Sequence, residues 1–311
     1  MTVGLLYDDI FLEHKPPAGH PESPGRLTAI MKTLKASDIW GRLVHVKPRK
    51  AGFEDVLSVH TKEYVERLKG FGTGYIDPDT YMSSGTLQSA LYAAGAVMEA
   101  VDGCREGSLR RAFCAVRPPG HHAGADRAMG FCIFNNVAVG ARYAQNIGYG
   151  KVFIVDFDVH HGNGTQHIFE EDDTVFYFST HEYPHYPGTG SEKEKGRGRG
   201  EGFTFDMPMS SGAGDNEYRH AYRDVLPGLM RDFSPDLVLV SAGYDIHADD
   251  PLSSICVSTG GVRDIVRGIL SGPDAPYIFC LEGGYNLKAL AESVEATLQE
   301  MLRPLEFLRP L

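Results

Sequence analysis

Cysteine is scarce in this sequence and irregularly spaced. The five present among 311 residues (Cys104, Cys114, Cys132, Cys256 and Cys280) are odd in number and include no C-x-x-C pair, which argues against a disulfide framework and a cysteine zinc site and points to a reducing compartment. Positive charge is short as well, with 30 Lys and Arg against 41 Asp and Glu and a net charge of −11. Such a surface repels phosphate, so direct nucleic-acid binding and attachment to an anionic membrane are excluded, and a cationic ligand suits it better. No apolar run approaches the roughly 18 residues that span a bilayer, and the opening MTVGLLYDDIFLEH lacks the basic start of a secretory signal. The expected location is cytoplasmic. Repeats, linkers rich in Ser or Pro, and shifts of composition are also missing, so residues 1–311 are read as one domain.

What is present is globular in kind: 42% hydrophobic and 23% charged residues, with 36 glycines that follow no Gly-X-Y period. Short apolar runs alternate with segments of helical period, the pattern of a parallel sheet with crossover helices. Strands are expected at Thr2–Tyr7, Ala112–Val116, Lys151–Asp156, Thr174–Ser179, Leu237–Ser241 and Tyr277–Leu281. Ser23 as N-cap and Pro24 at the first helical position precede a stripe of Leu27, Ile30, Met31 and Leu34. Further helices are expected over Phe53–Lys69, Thr86–Glu106, Asn135–Asn146, Asn216–Asp232, Gly261–Leu270 and Leu287–Leu302, with Pro227 breaking or kinking one of them. The run SEKEKGRGRGEG at 191–202 reads as a solvated loop without chemistry.

Four of the expected strands run into polar sequence: RPPGHHAG, DFDVHHGNG, AGYDIHADD and EGGYN. In α/β sheets ligands gather at the carboxyl ends of strands. Asp156, Asp158 and His160 recur at a spacing of two, so an extended backbone turns them to one side, and Asp245 from a neighbouring strand can supply a further donor. Two carboxylates and a neutral imidazole nearly cancel a divalent charge and leave a position open, the arrangement of a catalytic zinc. A single Asp or His after a strand is more often a cap or a turn residue. Several acidic groups clustered in apolar surroundings without a cation, however, cost several kcal/mol per unpaired charge.

His121 and His122 sit in a loop stiffened by two prolines, where an imidazole can carry a proton between water and a leaving amine, and Asp156 and Asn163 are available to orient the rings. Tyr285 follows Gly283 and Gly284 and can donate to a developing oxyanion.

The segments RPPGHHA, GFCIFNNVA, VDFDVHHGNGT, YPGTG, SAGYDIHADDPL and LEGGYNL resemble, in order, the signature segments of the histone deacetylase and acetylpolyamine amidohydrolase superfamily, from HPESPGRL near residue 20 to the last helix. The resemblance implies the arginase–deacetylase α/β fold, a mainly parallel sheet of about eight strands between helices. It makes Asp158, His160 and Asp245 zinc ligands, His122 the general base and acid, His121 its electrostatic partner and Tyr285 the carbonyl polariser. It also implies a structural potassium ion held by Asp156, Ser179 and the carbonyls of Asp158, His160 and Thr180. Gly130, Phe131, Tyr186 and Leu252 would line the acyl-lysine channel, and Arg26 would hold the glycine loop before Tyr285.

Asn163 stands where class I members carry aspartate, which is similar to the class II branch and its bacterial relatives; Tyr186 stands where many relatives carry phenylalanine. The implied reaction removes an acetyl or short acyl group from the Nε of acyl-lysine in a peptide or protein, with iron(II) as a second candidate metal. Acetylated polyamines are the alternative substrate, although polyamine-selective class II members place a glutamate where Leu252 stands. A noncatalytic acyl-lysine binder has no use for a proton shuttle, and a two-manganese arginase site would need more carboxylates than this motif supplies. Oligomeric state is left open by the sequence.

Overall fold

The computed structural model describes residues 2–304. Among these the strands are β1 (Val3–Leu6), β2 (Val44–Val46), β3 (Gly74–Tyr75), β4 (Tyr81–Met82), β5 (Arg111–Cys114), β6 (Val152–Asp156), β7 (Val175–Glu182), β8 (Thr204–Met209), β9 (Leu237–Ala242) and β10 (Tyr277–Leu281). Eight of them form one sheet in the order β2–β1–β5–β10–β9–β6–β7–β8, and every neighbouring pair is parallel. This is the expected α/β architecture. β3 and β4 form a separate antiparallel hairpin.

The central strands are buried along their whole length, which is why they read as unbroken apolar runs rather than as alternating ones. The sequence reading missed the β3–β4 hairpin and, within the eight-stranded sheet, β2 and β8. Both lie at sheet edges: β2 is a three-residue VHV with no fully buried position, and β8 alternates and contains Pro208, which suits only an edge.

Helices Thr86–Arg105 and Asn136–Asn146 pack on each other, and Gly25–Ala36, Leu287–Met301 and Thr259–Leu270 pack in series. Gly140 permits the first contact, since a Cβ there would lie 2.3 Å from a Val97 methyl.

Three helix expectations are corrected. The first helix starts at Gly25, with Pro24 at the cap position and no side-chain cap from Ser23. The span 53–69 is two helices, Phe53–Leu57 and Lys62–Phe71. They are divided where the buried His60 ring turns away to bond the Gly124 carbonyl and accept the Asn135 N–H. The span 216–232 is broken by a π-helical stretch, His220–Val225, immediately before the helix whose first turn holds Pro227. A short helix, Asn163–Phe169, was not anticipated. No helix among the described residues is long and apolar enough to cross a membrane.

Candidate active site

The four polar segments follow β5, β6, β9 and β10, and these strands are consecutive in the sheet as β5–β10–β9–β6. Residues more than a hundred positions apart therefore meet at one edge. β6 ends at Asp156, so Asp158 and His160 lie in the turn beyond it rather than in an extended strand. One donor atom from each of Asp158, His160 and Asp245 falls within 4.8 Å of the others. His160 Nδ1 is 3.2 Å from Asp158 Oδ1 and 3.3 Å from Asp245 Oδ2.

Backbone amides fix the carboxylates. Asp158 accepts the His160 N–H at 2.9 Å and the Gly283 N–H at 2.8 Å, and Asp245 Oδ1 accepts the Val159 N–H at 3.0 Å. Glycine is required around them, because a Cβ on Gly283 would lie 2.0 Å from Asp245 Oδ2 and one on Gly243 2.0 Å from Asp158 Oδ2.

The electrostatics of this cluster call for a cation. Asp245 Oδ2 is buried without a hydrogen-bond partner. Burial and the neighbouring Asp158 push the Asp245 carboxyl up to about 7. Burial opposes charge on His160, yet the two carboxylates outweigh it and hold the ring up at about 10. A divalent ion relieves all three strains, and two carboxylates with one imidazole are a donor set that zinc and iron(II) both accept.

Beside the cluster, the rings of His121 and His122 stand with centroids 4.0 Å apart. His121 Nδ1 is 3.1 Å from Asp156 Oδ2, and its Nε2 is 3.7 Å from Asp158 Oδ1. Burial is overridden by these carboxylates, which raise His121 to about 10. His122 Nδ1 bonds Asn163 Oδ1 at 2.8 Å; burial and the neighbouring charged His121 hold its pKa well below the usual histidine value. One imidazole is thus cationic and the other neutral, and a pair driven apart in this way is the mark of divided acid–base roles. The Asn163 oxygen holds the His122 proton on Nδ1 and leaves Nε2 to accept one.

Asp156 is drawn aside from the cluster: its Oδ2 also accepts the Tyr177 hydroxyl at 3.1 Å, and it pairs in register with Ser179 of β7. The Ser179 hydroxyl lies 2.9 Å from His181 Nδ1, and that of Thr180 is engaged by Tyr222 at 2.8 Å, which leaves only its carbonyl for an ion.

A cavity of about 170 Å³ leads from the surface to His122, His160 and Tyr285, walled by Gly130, Phe131, Tyr186, Leu252 and Asp79. Gly130 and Phe131 both have positive φ, 57° and 67°. A Cβ at Gly130 would sit 2.3 Å from the His122 ring. Two bonds hold this turn, from the Gly130 N–H to Asp79 Oδ1 at 3.1 Å and from the Phe131 N–H to Thr80 Oγ1 at 3.0 Å, which is how a strained conformation persists. Arg26 donates to the carbonyls of Gly284 at 2.7 Å and Glu282 at 2.5 Å, and its guanidinium lies 5.1 Å from the centre of the Tyr285 ring.

Several residues that build the site escaped the sequence reading. Glu282 is fully buried and accepts the N–H groups of Gly120 at 2.6 Å and His121 at 3.2 Å, tying the histidine loop to the tyrosine loop. Asp250 accepts the Tyr285 N–H at 2.6 Å. Glu22 forms a buried ion pair with Arg117 and reaches Arg26. The only signal for Glu282 and Asp250 was their presence inside motifs already singled out. The 191–202 loop is mostly exposed, as expected, but Glu194 anchors it by accepting from Gln166 Nε2 at 2.6 Å, whose Oε1 is 2.8 Å from His161 Nε2.

A carboxylate–imidazole cluster suited to a cation, at the carboxyl edge of a parallel sheet with a neutral histidine beside it, is the apparatus of a metal-dependent α/β hydrolase. The histone deacetylase domain matches residues 20–301. A probable deacetylase of Methanothermobacter thermautotrophicus is 43% identical over 282 residues, covering 88% of this chain and 83% of the relative. Histone deacetylase 5 of Arabidopsis thaliana is 38% identical over 96% of this chain, which spans only 49% of that longer protein. The crystal structure of the HDA15 HD domain superposes with a TM-score of 0.92 at 38% identity, covering 97% of this chain and 91% of the other. The chain belongs to the histone deacetylase family, whose members are metal-dependent hydrolases of acetylated substrates.

Proposed function

We propose that this chain is a zinc-dependent amidohydrolase that removes acetyl or short acyl groups from the Nε of acyl-lysine in peptides or proteins. The observation that carries the reading is the orphaned Asp245 oxygen within the Asp158, His160, Asp245 cluster, at the floor of an aromatic cavity that also exposes His122. These three residues would hold the ion. When bound, it supplies Lewis acidity toward the amide carbonyl and acidifies water.

The chain's own groups do the rest. His122 Nε2 takes the proton of the attacking water and later delivers it to the departing amine, while Asn163 fixes its tautomer. His121, held cationic by Asp156 and Asp158, offsets the negative charge that develops nearby. The Tyr285 hydroxyl, kept protonated by burial, donates to the oxyanion. Phe131 and Tyr186 face the apolar lysine stem, with Leu252 at the rim. Asp156, Ser179 and the carbonyls of Asp158, His160 and Thr180 would hold potassium under the histidine pair. Iron(II) is the alternative occupant of the catalytic cluster. Five free cysteines, four of them buried, suit the cytoplasm.

Acetylated polyamines are the second reading, favoured by the net charge of −11; a noncatalytic acyl-lysine binder is disfavoured by the neutral His122 beside Tyr285. The test is turnover of the metal-loaded protein on acetyl-lysine peptides and on acetylspermidine, with and without chelator. Chelator-sensitive hydrolysis that favours the peptides is expected. Hydrolysis of neither substrate by metal-replete protein refutes the reading, and a preference for acetylspermidine replaces it with the polyamine one.

A further inference from the structure

A second cluster of donor atoms lies further out in the sheet, and the proposed reaction uses none of it. Ser179 and His181 fall on one face of β7, and Asp206 of β8 stands in register with Ser179, so its side chain shares that face. His161, the residue after His160, reaches the same place from the turn beyond β6. One donor atom from each of His161, His181 and Asp206 lies within 4.8 Å of the others, and the two rings have centroids 4.6 Å apart. The cluster is sealed from solvent: His161 is 1%, His181 0% and Asp206 5% exposed. Gly190 closes it with a φ of 89°, and a Cβ there would sit 2.3 Å from His181 Nε2 and 2.6 Å from His161 Cγ.

Among the described residues neither oxygen of the Asp206 carboxylate has a hydrogen-bond partner. Its Oδ1 lies 3.3 Å from His161 Nε2, but the hydrogen bond of that nitrogen runs to Gln166 Oε1 at 2.8 Å. A bare carboxylate in so dry a place is costly, and an ion between it and the imidazoles removes the cost. We propose that His161, His181 and Asp206 form a second metal site, which holds one divalent transition ion of the zinc class in a structural role. Two neutral imidazoles and a carboxylate suit such an ion, whereas magnesium and calcium seek oxygen alone. The outer partners that orient ligating imidazoles are present. The Gly190 carbonyl, 2.7 Å from His181 Nε2, can only accept, so it keeps the proton there and leaves Nδ1 a lone pair. The Thr189 hydroxyl, 2.7 Å from His161 Nδ1, can take the proton of that nitrogen and leave Nε2 to the ion, with Gln166 Oε1 beside it as a further oxygen. An ion held this way ties the edge strand β8 to β7 and to the turn that carries His160.

The site stands apart from the deacylase reading, and its test counts ions rather than turnover. The untagged full chain is stripped with chelator and reloaded in potassium buffer with free zinc held at nanomolar levels. Bound zinc per chain and the thermal midpoint are then measured for wild type, Asp206→Asn and Asp245→Asn. Wild type is expected to hold two zinc ions per chain and each variant one. Asp206→Asn removes a buried charge at nearly constant shape, so without metal it should melt no lower than wild type, whereas with zinc it should melt lower. One ion in wild type and none in Asp245→Asn overturns the second site. Two ions retained by Asp206→Asn do the same, since the extra ion is then adventitious. A metal-free Asp206→Asn chain that melts well below wild type, or fails to fold, also overturns it, because protein contacts alone then hold Asp206. A single ion that survives Asp245→Asn and is lost in Asp206→Asn supports this site and counts against the catalytic cluster instead.

Discussion

Replacing Tyr285 by phenylalanine isolates one hydrogen atom of the proposed chemistry. The ring is held by contacts that do not involve its hydroxyl: the edge of Phe131 at 5.9 Å, the Arg26 guanidinium at 5.1 Å, and its own N–H bonded to Asp250 at 2.6 Å. Phenylalanine keeps all three, so the aromatic pair, worth about 0.5–1.5 kcal/mol, and the cation–π contact survive. Stability should change by no more than about 0.5 kcal/mol. What is lost is a donor aimed at charge that exists only in the transition state, which typically lowers kcat by about 10²–10³, or about 2.7–4 kcal/mol. The assay is steady-state hydrolysis of an acetyl-lysine peptide with metal content and thermal midpoint measured on the same preparation. The expected pattern is a collapse of kcat with KM within a few-fold, full metal loading and an unmoved midpoint. A kcat within about threefold of wild type would refute the assignment of the phenol, and loss of bound metal would show that the variant reports on the wrong group.

Asn163→Asp places a negative charge against His122 Nδ1, now 2.8 Å from the amide oxygen. That raises the pKa of the base, so the acid limb of the kcat/KM profile should move to higher pH; a stationary limb would argue that His122 is not the base. Glu22→Ala strands Arg117 and Arg26, both fully buried, and should cost about 3–5 kcal/mol by urea denaturation, with a loss below about 1 kcal/mol contradicting the role given to the pair. His60 is held down at about 4 by burial, against an ordinary 6.5. Its folded pKa is depressed and the group must stay neutral, so its contribution is complete above about pH 6.5 and is lost as pH falls toward 4, by about 3 kcal/mol in all. His60→Gln should flatten the pH dependence of stability across that window, and an unchanged slope would sink the attribution.

The legible parts of this protein are those where local sequence and tertiary demand coincide. β6, β9 and β10 are buried on both faces, so their apolar runs declare them. Edge strands face no such demand, and β2 and β8 stayed hidden. The helical period of residues 53–69 is genuine, but the break at His60 is imposed by bonds to Gly124 and Asn135, which no local pattern contains. The same division runs through the site. Asp158 and His160 are near neighbours in sequence and Asp245 follows a strand end, whereas Glu282 works on the amide of Gly120, a separation of 162 residues. Residues that act through distant partners carry no spacing signature: Glu282, Asp250 and Asp79 accept from remote backbone amides, and Glu22 pairs with the remote Arg117 side chain.

The order β5–β10–β9–β6 also bears on how the molecule can be divided. The histidine loop follows the first of these strands, the tyrosine loop the second and the two aspartate-bearing turns the last pair, so truncation anywhere before Leu281 removes a wall of the reaction chamber outright. The three residues proposed to hold the catalytic cation follow only β9 and β6, which are direct neighbours, so uptake of an added divalent ion at that cluster during refolding would report the pairing of those two strands. Cuts for fragment complementation belong out by β2, whose loss would leave that chamber whole.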